Sequence, residues 1–339
     1  MKRIPIIAFA GLAMVTAPAG AADFYAGKTI EIDVGSPAGG GYNAYAHSVA
    51  RHLGDHIPGK PTIVVKNMPG AGGRKVTAWT YNAAPKNGTA IAASQPGSLA
   101  EPILGDAKDV RYDPRKFGYI GSTEAWVSVC AARTDAAVKT FKDAFDKELV
   151  VGGGSRSSSL QDTPTAIKNV LGVKFKIIKG YPGSRDVVNA IQRNEVQAIC
   201  GYAWTSLQSQ AGYLLKEKKI NILVQTALDP DPELAKMGVP MIWDFVKTKE
   251  QHDVLQLIFA QQSFGRPYFV PPGVPKDRLA ILRTAFDATM QDPTFVAEIK
   301  KQHLALSPLN GQRVEQMVTK MFDTPKAIQK KARQALAYE

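Results

Sequence analysis

VGSPAGGGYNAYAHSVARHL, residues 34–53, decides how this chain is read. Three consecutive glycines follow a strand-like apolar run and precede a segment with helical periodicity. Glycine lets a backbone turn tightly and approach a ligand without interference from a Cβ. The helix behind such a loop presents unpaired N–H groups and the positive end of its dipole to whatever the loop holds. A Walker loop requires a lysine after its last glycines, and Tyr42-Asn43 stands there instead. A dinucleotide fingerprint survives weakly through Gly39, Gly41 and Ala44, but Lys66 or Asn67 replaces the acidic residue due at the end of the second strand. A carboxylate is the guest that fits what remains.

Strands and helices alternate outward from this loop. TIEIDVG, PTIVVKN and TAIAASQ read as strands, with helices over 42–53 and 74–83 between them. That succession predicts a parallel, right-handed, doubly wound lobe. WVSVCAAR, ELVVGGG, KFKIIKG and VQAICGY continue the pattern, with helical intervals at 160–171 and 185–193. INILVQTAL and the FAQQSFGRP region add strand-like sequence, and helices are expected over 276–290, 292–303 and 311–321. The expected fold class is α/β: two doubly wound lobes joined by crossing strands, with residues 23–125 plus 225–339 in the first lobe and 126–224 in the second.

A second loop, VVGGGSRSSSLQD at 150–162, repeats the strand–glycine–helix arrangement. Ser155, Ser157 and Ser158 are residue types that cap helix N-termini, and Arg156 offers a guanidinium fork to an anion. A third, KGYPGSRDVV, places Tyr181 and Arg185 before another helix. Helix N-termini facing a shared cleft from two lobes would make a clamp for an anion.

The 339 residues carry 42 Lys and Arg against 30 Asp and Glu, a formal charge of +12. The basic residues are dispersed, the short runs at Lys216–Lys219 and Gln329–Gln334 read as solvated faces, and no nucleic-acid-binding motif accompanies them. Met1–Ala22 reads as a secretory signal peptide, with Lys2 and Arg3, an apolar stretch from Ile6 to Val15 and small residues at the exit. The expected location is therefore the periplasm. In that oxidising compartment Cys130 and Cys200 permit one bridge, which is the expected arrangement; two buried thiols are the alternative.

Catalytic patterns are missing. GGSRS has Ser157 where a nucleophile elbow needs its last glycine. His52 and His56 are four apart, but Gly54 and Pro58 break the helix that would place them on one face, so no metal site is expected. Asp229, Asp231 and Glu233 lie among prolines as helix-start residues rather than as paired acids. No enzyme activity and no cofactor are expected.

PAGGGYN at Pro37–Asn43, NMPGAGG at Asn67–Gly73, AAPKNGTAIA at Ala83–Ala92, FGYIGS, the serine-rich loop, KGYPGS and VPPGVP at Val270–Pro275 resemble, in order, motifs of the tripartite tricarboxylate transporter receptor proteins. This is the Bug family of periplasmic solute-binding proteins, and the resemblance covers essentially the whole chain after the leader. It implies a Venus-flytrap fold of the type II periplasmic-binding-protein kind. It implies a small organic carboxylate held by Ser36, Ala38, Gly39, Gly40, Tyr42 and Asn43 of one lobe and by Ser155, Arg156, Ser157 and Ser158 of the other. Delivery to a membrane permease with one large and one small subunit would follow, from a receptor expected to be a monomer. Asn43 departs from the family's acidic residue, which disfavours ligands carrying an ammonium group. Tyr42, Tyr181, Tyr202 and Trp204 are placed either to stack on an aromatic ligand or to pack the lobe edges. A ligand-presenting sensor and a secreted hydrolase are the rival classes.

Overall fold

The computed structural model describes residues 23–105 and 110–337, and the signal-peptide reading of 1–22 lies outside them. The first sheet contains β1 (Thr29–Val34), β2 (Thr62–Asn67), β3 (Ala90–Ala93), β4 (Gly118–Ser122), β10 (Pro267–Val270) and β11 (Leu309–Asn310), in the order β11-β4-β10-β3-β1-β2. The second contains β5 (Ser128–Arg133), β6 (Leu149–Gly152), β7 (Phe175–Ile178), β8 (Ala198–Ala203) and β9 (Ile220–Thr226), in the order β7-β6-β8-β5-β9. The helices are α1 (Gly41–Leu53), α2 (Arg74–Asn82), α3 (Pro96–Leu104), α4 (Ser159–Leu171), α5 (Ser184–Gln192), α6 (Trp204–Lys216), α7 (Pro232–Lys236), α8 (Lys249–Ala260), α9 (Lys276–Gln291), α10 (Pro293–Lys301), α11 (Gly311–Phe322) and α12 (Lys326–Ala335).

Each sheet is mixed rather than wholly parallel. β1 runs parallel to β2 and β3, whereas β10 lies antiparallel between β3 and β4. In the second sheet β6 runs parallel to β7 and β8, while β5 is antiparallel to β8 and β9. Of the reversed strands, β5 and β10 are those that enter a lobe from the other one; the two-residue β11 is also antiparallel to β4 at the sheet edge. Parallel strands end at the cleft, so a chain arriving across the cleft must run against them. The same logic puts the helices that follow parallel strands with their N-termini at the cleft, which is where open α/β sheets hold ligands.

One apolar face of the first sheet packs Ile30, Ile32 and Val34 against α1, α9 and α10 through Tyr45, Leu53, Phe286 and Phe295. In the second lobe, α5 and α6 bury Val187, Ile191, Leu207 and Leu214 against their sheet. A third cluster runs continuously from Leu99 and Phe269 to Cys130, Leu149 and Phe259, so the lobes share one core on the side away from these helices. The FAQQSFGRP region is not a strand: Phe259 and Ala260 close α8 and a short 3-10 turn covers Gln261–Phe264. Its apolar residues Leu255, Ile258 and Phe259 recur at helical spacing, and Thr248 and Gln251 form a capping box at the start of α8. Cys130 is the register partner of Cys200, and the two are joined in a disulfide.

Asp33 lies on the face of β1 opposite Ile32, 1 % exposed, and neither carboxylate oxygen has a hydrogen-bond partner among the described residues. Its register partner Lys66 pairs with Glu31 instead. Burial, with the Glu31 charge beside it, pushes the Asp33 carboxyl up to about 7. The folded state thus favours the protonated form. The stability this provides is complete below the unfolded value of about 4 and is lost as pH rises through about 7. Urea unfolding should show the wild type losing stability relative to Asp33→Asn across that window; parallel pH curves would contradict it.

Candidate functional site

Five helices begin around one cleft cavity. The walls include Gly40 before α1, Gln95 before α3, Ser158 before α4, Gly183 before α5 and Ala203 before α6. None of these N-cap residues makes a side-chain capping bond. The positive ends of five helices therefore border one small volume, although the Trp204 amide is already bonded to the Val127 carbonyl and Pro96 at the start of α3 has no N–H to offer. α1 and α3 follow strands of the first sheet, and α4, α5 and α6 belong to the second lobe. The cavity, of about 70 Å³, is thus built from both. Two of its wall residues also carry buried polar atoms without a partner among the described residues: the Ser158 hydroxyl and Trp126 Nε1. Buried donors of this kind are satisfied in nearly all proteins, so they mark where a ligand or water belongs.

Of the residues expected from the sequence, Ser36, Ala38, Gly40, Tyr42, Ser158, Arg185 and Tyr202 line this cavity. The others do different things nearby. Gly39 passes under Arg185; a Cβ there would lie 2.8 Å from its Nη1. Asn43 braces the loop, accepting from the Gly39 amide at 3.3 Å and donating to Asn67 Oδ1 at 3.2 Å. Ser155 is exposed, and its carbonyl accepts from the Ser158 amide. Tyr181 donates its backbone N–H to the Gly153 carbonyl, and its side chain packs on the second-lobe core. Trp204 is buried in that core and donates through Nε1 to Glu233 at 3.1 Å.

Arg156 and Ser157 turn toward the first lobe. Arg156 Nε lies 3.3 Å from Glu101 Oε1, and the Ser157 hydroxyl donates to Glu101 Oε2. Arg74 completes the grip on this buried carboxylate at 3.2 Å. Two glycines make the approach possible: a Cβ on Gly97 would lie 2.2 Å from the Ser157 carbonyl oxygen, and one on Gly72 would lie 2.3 Å from that of Arg156. The second glycine loop is therefore a fastening between lobes at one end and a cavity wall at Ser158. His52 and His56 pair separately with Glu298 and Asp292, each at 2.9 Å.

Sequence reasoning passed over Gln95, Trp126 and Arg266. Arg266, only 2 % exposed, sits between the end of α8 and β10 and lines the cavity. Its Nε lies 2.6 Å from Glu124 Oε2, and its Nη2 donates to Ser206 Oγ at 3.0 Å. Burial alone would lower its pKa, but Glu124 beside it, with Tyr45 and Tyr42, leaves the guanidinium above its ordinary value. Burial likewise holds the Tyr42 hydroxyl well above the usual phenol range, so it is a neutral donor, spent on the Gly265 carbonyl at 3.2 Å.

The lobes, the two reversed strands and the ring of helix N-termini decide the architecture. The fold is that of the periplasmic binding proteins. The periplasmic binding protein BugD superposes with a TM-score of 0.71 at 20% identity, over 90% of this chain and 97% of that one. MatC from Rhodopseudomonas palustris, solved with bound malate, gives 0.69 at 17% identity over 91% and 99%. A second R. palustris protein, solved with adipate, gives 0.70 at 17% identity over 91% and 97%. No family model matches the chain, and no curated protein matches its sequence. The cavity is walled by residues of both sheets' lobes.

Proposed function

We propose that the chain is a periplasmic receptor of the Bug type that captures a small organic carboxylate between its lobes. One observation carries this reading: five uncapped helix N-termini from both lobes converge on one cavity. Such an array offers N–H donors and a positive potential, with Arg185 and Arg266 in the same wall, which suits the binding of an anion. Each charge-assisted hydrogen bond contributes about 1.5–3 kcal/mol, so three or four suffice for micromolar capture, about 8 kcal/mol. The lobes of this reading are 23–125 with 225–339 and 126–224; the sheets change over between Ser122 and Ser128 and after Thr226, two residues beyond the second of these boundaries. Closure fastens Glu101 to Arg156 and Ser157, and the closed monomer is the form handed to a tripartite-tricarboxylate permease of one large and one small subunit. The ordered loop motifs and the malate- and adipate-bound neighbours support this assignment.

A thermal-shift screen of citrate, malate, adipate, nicotinate, benzoate and terephthalate, with ATP and NAD as controls, tests it. At least one carboxylate should raise the melting temperature. Stabilisation by nucleotides alone would overturn the assignment.

A further inference from the structure

We infer that Arg266 reads the charge of the captured ligand, donating through Nη1 to the same anionic group that the first-turn amides of α1 hold. The inference rests on the receptor reading and adds to it a residue that neither glycine loop contains.

Three observations meet at this side chain. The first is its fixed position. Glu124 holds Nε at 2.6 Å and Ser206 accepts from Nη2 at 3.0 Å, while Glu124 is itself held by Thr205 Oγ1 at 2.7 Å. The guanidinium carbon lies 4.3 Å from the Tyr45 ring centre, 4.9 Å from that of Tyr42 and 5.6 Å from that of Trp126. Three aromatic faces and an ion pair leave it no alternative rotamer to relax into. The second is what remains unspent. A guanidinium has five N–H groups. Those of Nη1 have no partner among the hydrogen bonds of the described residues, and the residue forms part of the cavity wall. The third is proximity to the glycine loop. A Cβ built on Gly41, the first residue of α1, would fall 3.2 Å from Nη1. Gly41 and Arg266 also line the same cavity, so a planar carboxylate held at the start of α1 lies within reach of the guanidinium.

The pair is not explained by stability. Replacing a buried ion pair with apolar residues of similar shape is commonly neutral or stabilising. Glu124 keeps the cation in place and balances its charge, so the potential drawing in an anion comes from the helix ends and from Arg185 in the same wall, and the fixed fork comes from Arg266. A neutral amide of the same shape would bring its own donors against Nη1 and be rejected.

The test uses calorimetry on the whole chain with adipate and malate, each against its monoamide. The double variant Arg266→Met/Glu124→Gln removes both charges together and so avoids a buried unpaired carboxylate. It should melt cooperatively, bind the dicarboxylate about 10- to 100-fold more weakly, and lose most of the preference for acid over amide. A role in folding alone would leave that preference intact. Arg266→Lys keeps the charge without the fork and should also lose at least about tenfold, which decides the matter if the double variant does not fold. Affinity within twofold of the wild type, or an unchanged acid-to-amide ratio, in a folded variant overturns the inference alone. A wild type that binds none of these probes overturns the receptor reading and this inference with it.

Discussion

Gly97→Ala should leave the unliganded chain folded while weakening carboxylate capture about 100-fold, equivalent to ~2.7 kcal/mol. Gly97 sits in the first turn of α3, and its φ lies outside the left-handed region, so alanine meets no backbone strain there. Alanine in a helix gains about 0.5–1 kcal/mol over glycine, so the melting temperature of the free protein should hold or rise slightly. The added methyl would nevertheless lie 2.2 Å from the Ser157 carbonyl oxygen, a backbone atom of the opposite lobe. The lobes must stand about 1 Å further apart to admit it. Glu101 then loses Arg156 and Ser157, and Ser158 withdraws from the cavity wall. Calorimetry on the variant beside a melting curve of the free protein reads both effects. Unchanged affinity would mean that this contact plays no part in holding ligand. Gly72 makes a similar approach, but its φ of 63° adds strain of its own and makes it the poorer probe.

Cys130→Ala/Cys200→Ala should lower stability by roughly 4 kcal/mol, because the bridge closes a loop with a sequence separation of 70 residues. For a chain of this size that corresponds to a fall in melting temperature on the order of 10 °C. The bridge ties β5, the strand that arrives from the first lobe, to β8, which lies beside it in the second sheet. Its loss should therefore destabilise the second lobe before it disturbs the cavity, and ligand affinity at low temperature should change little. Calorimetric melting of the variant, and of the wild type with a reducing agent, provides the check. A melting temperature within about 2 °C of the wild type would show that sheet packing alone sets the stability of this lobe.

The fold was legible because its signals are local. Strand–glycine–helix punctuation at 34–53 and 150–162 is carried by neighbouring residues, and both loops do precede helices, α1 and α4. The helix α8 was missed because a buried helix and a buried strand share an apolar composition, and the region was read from its last few residues. The candidate site was legible only in part. Ser36, Gly40, Tyr42 and Ser158 are visible because a loop that precedes a helix must face the cleft. Trp126 and Arg266 come from the two crossings between lobes, far apart in the chain, and only folding brings Arg266 Nε to Glu124. Arg156 shows the converse. Its type suits an anion, but no local pattern reveals that the nearest anion is Glu101 of the facing lobe.

The central claim is that this cavity holds one carboxylate, and the most direct measurement is calorimetric titration of the chain after unfolding, dialysis and refolding to strip any resident ligand. A carboxylate from the screen should then bind saturably at one site per chain with a Kd in the micromolar range or below, and be recovered chemically unchanged. Titrations in which every carboxylate gives no saturable heat, or in which the recovered compound has been converted, would contradict it.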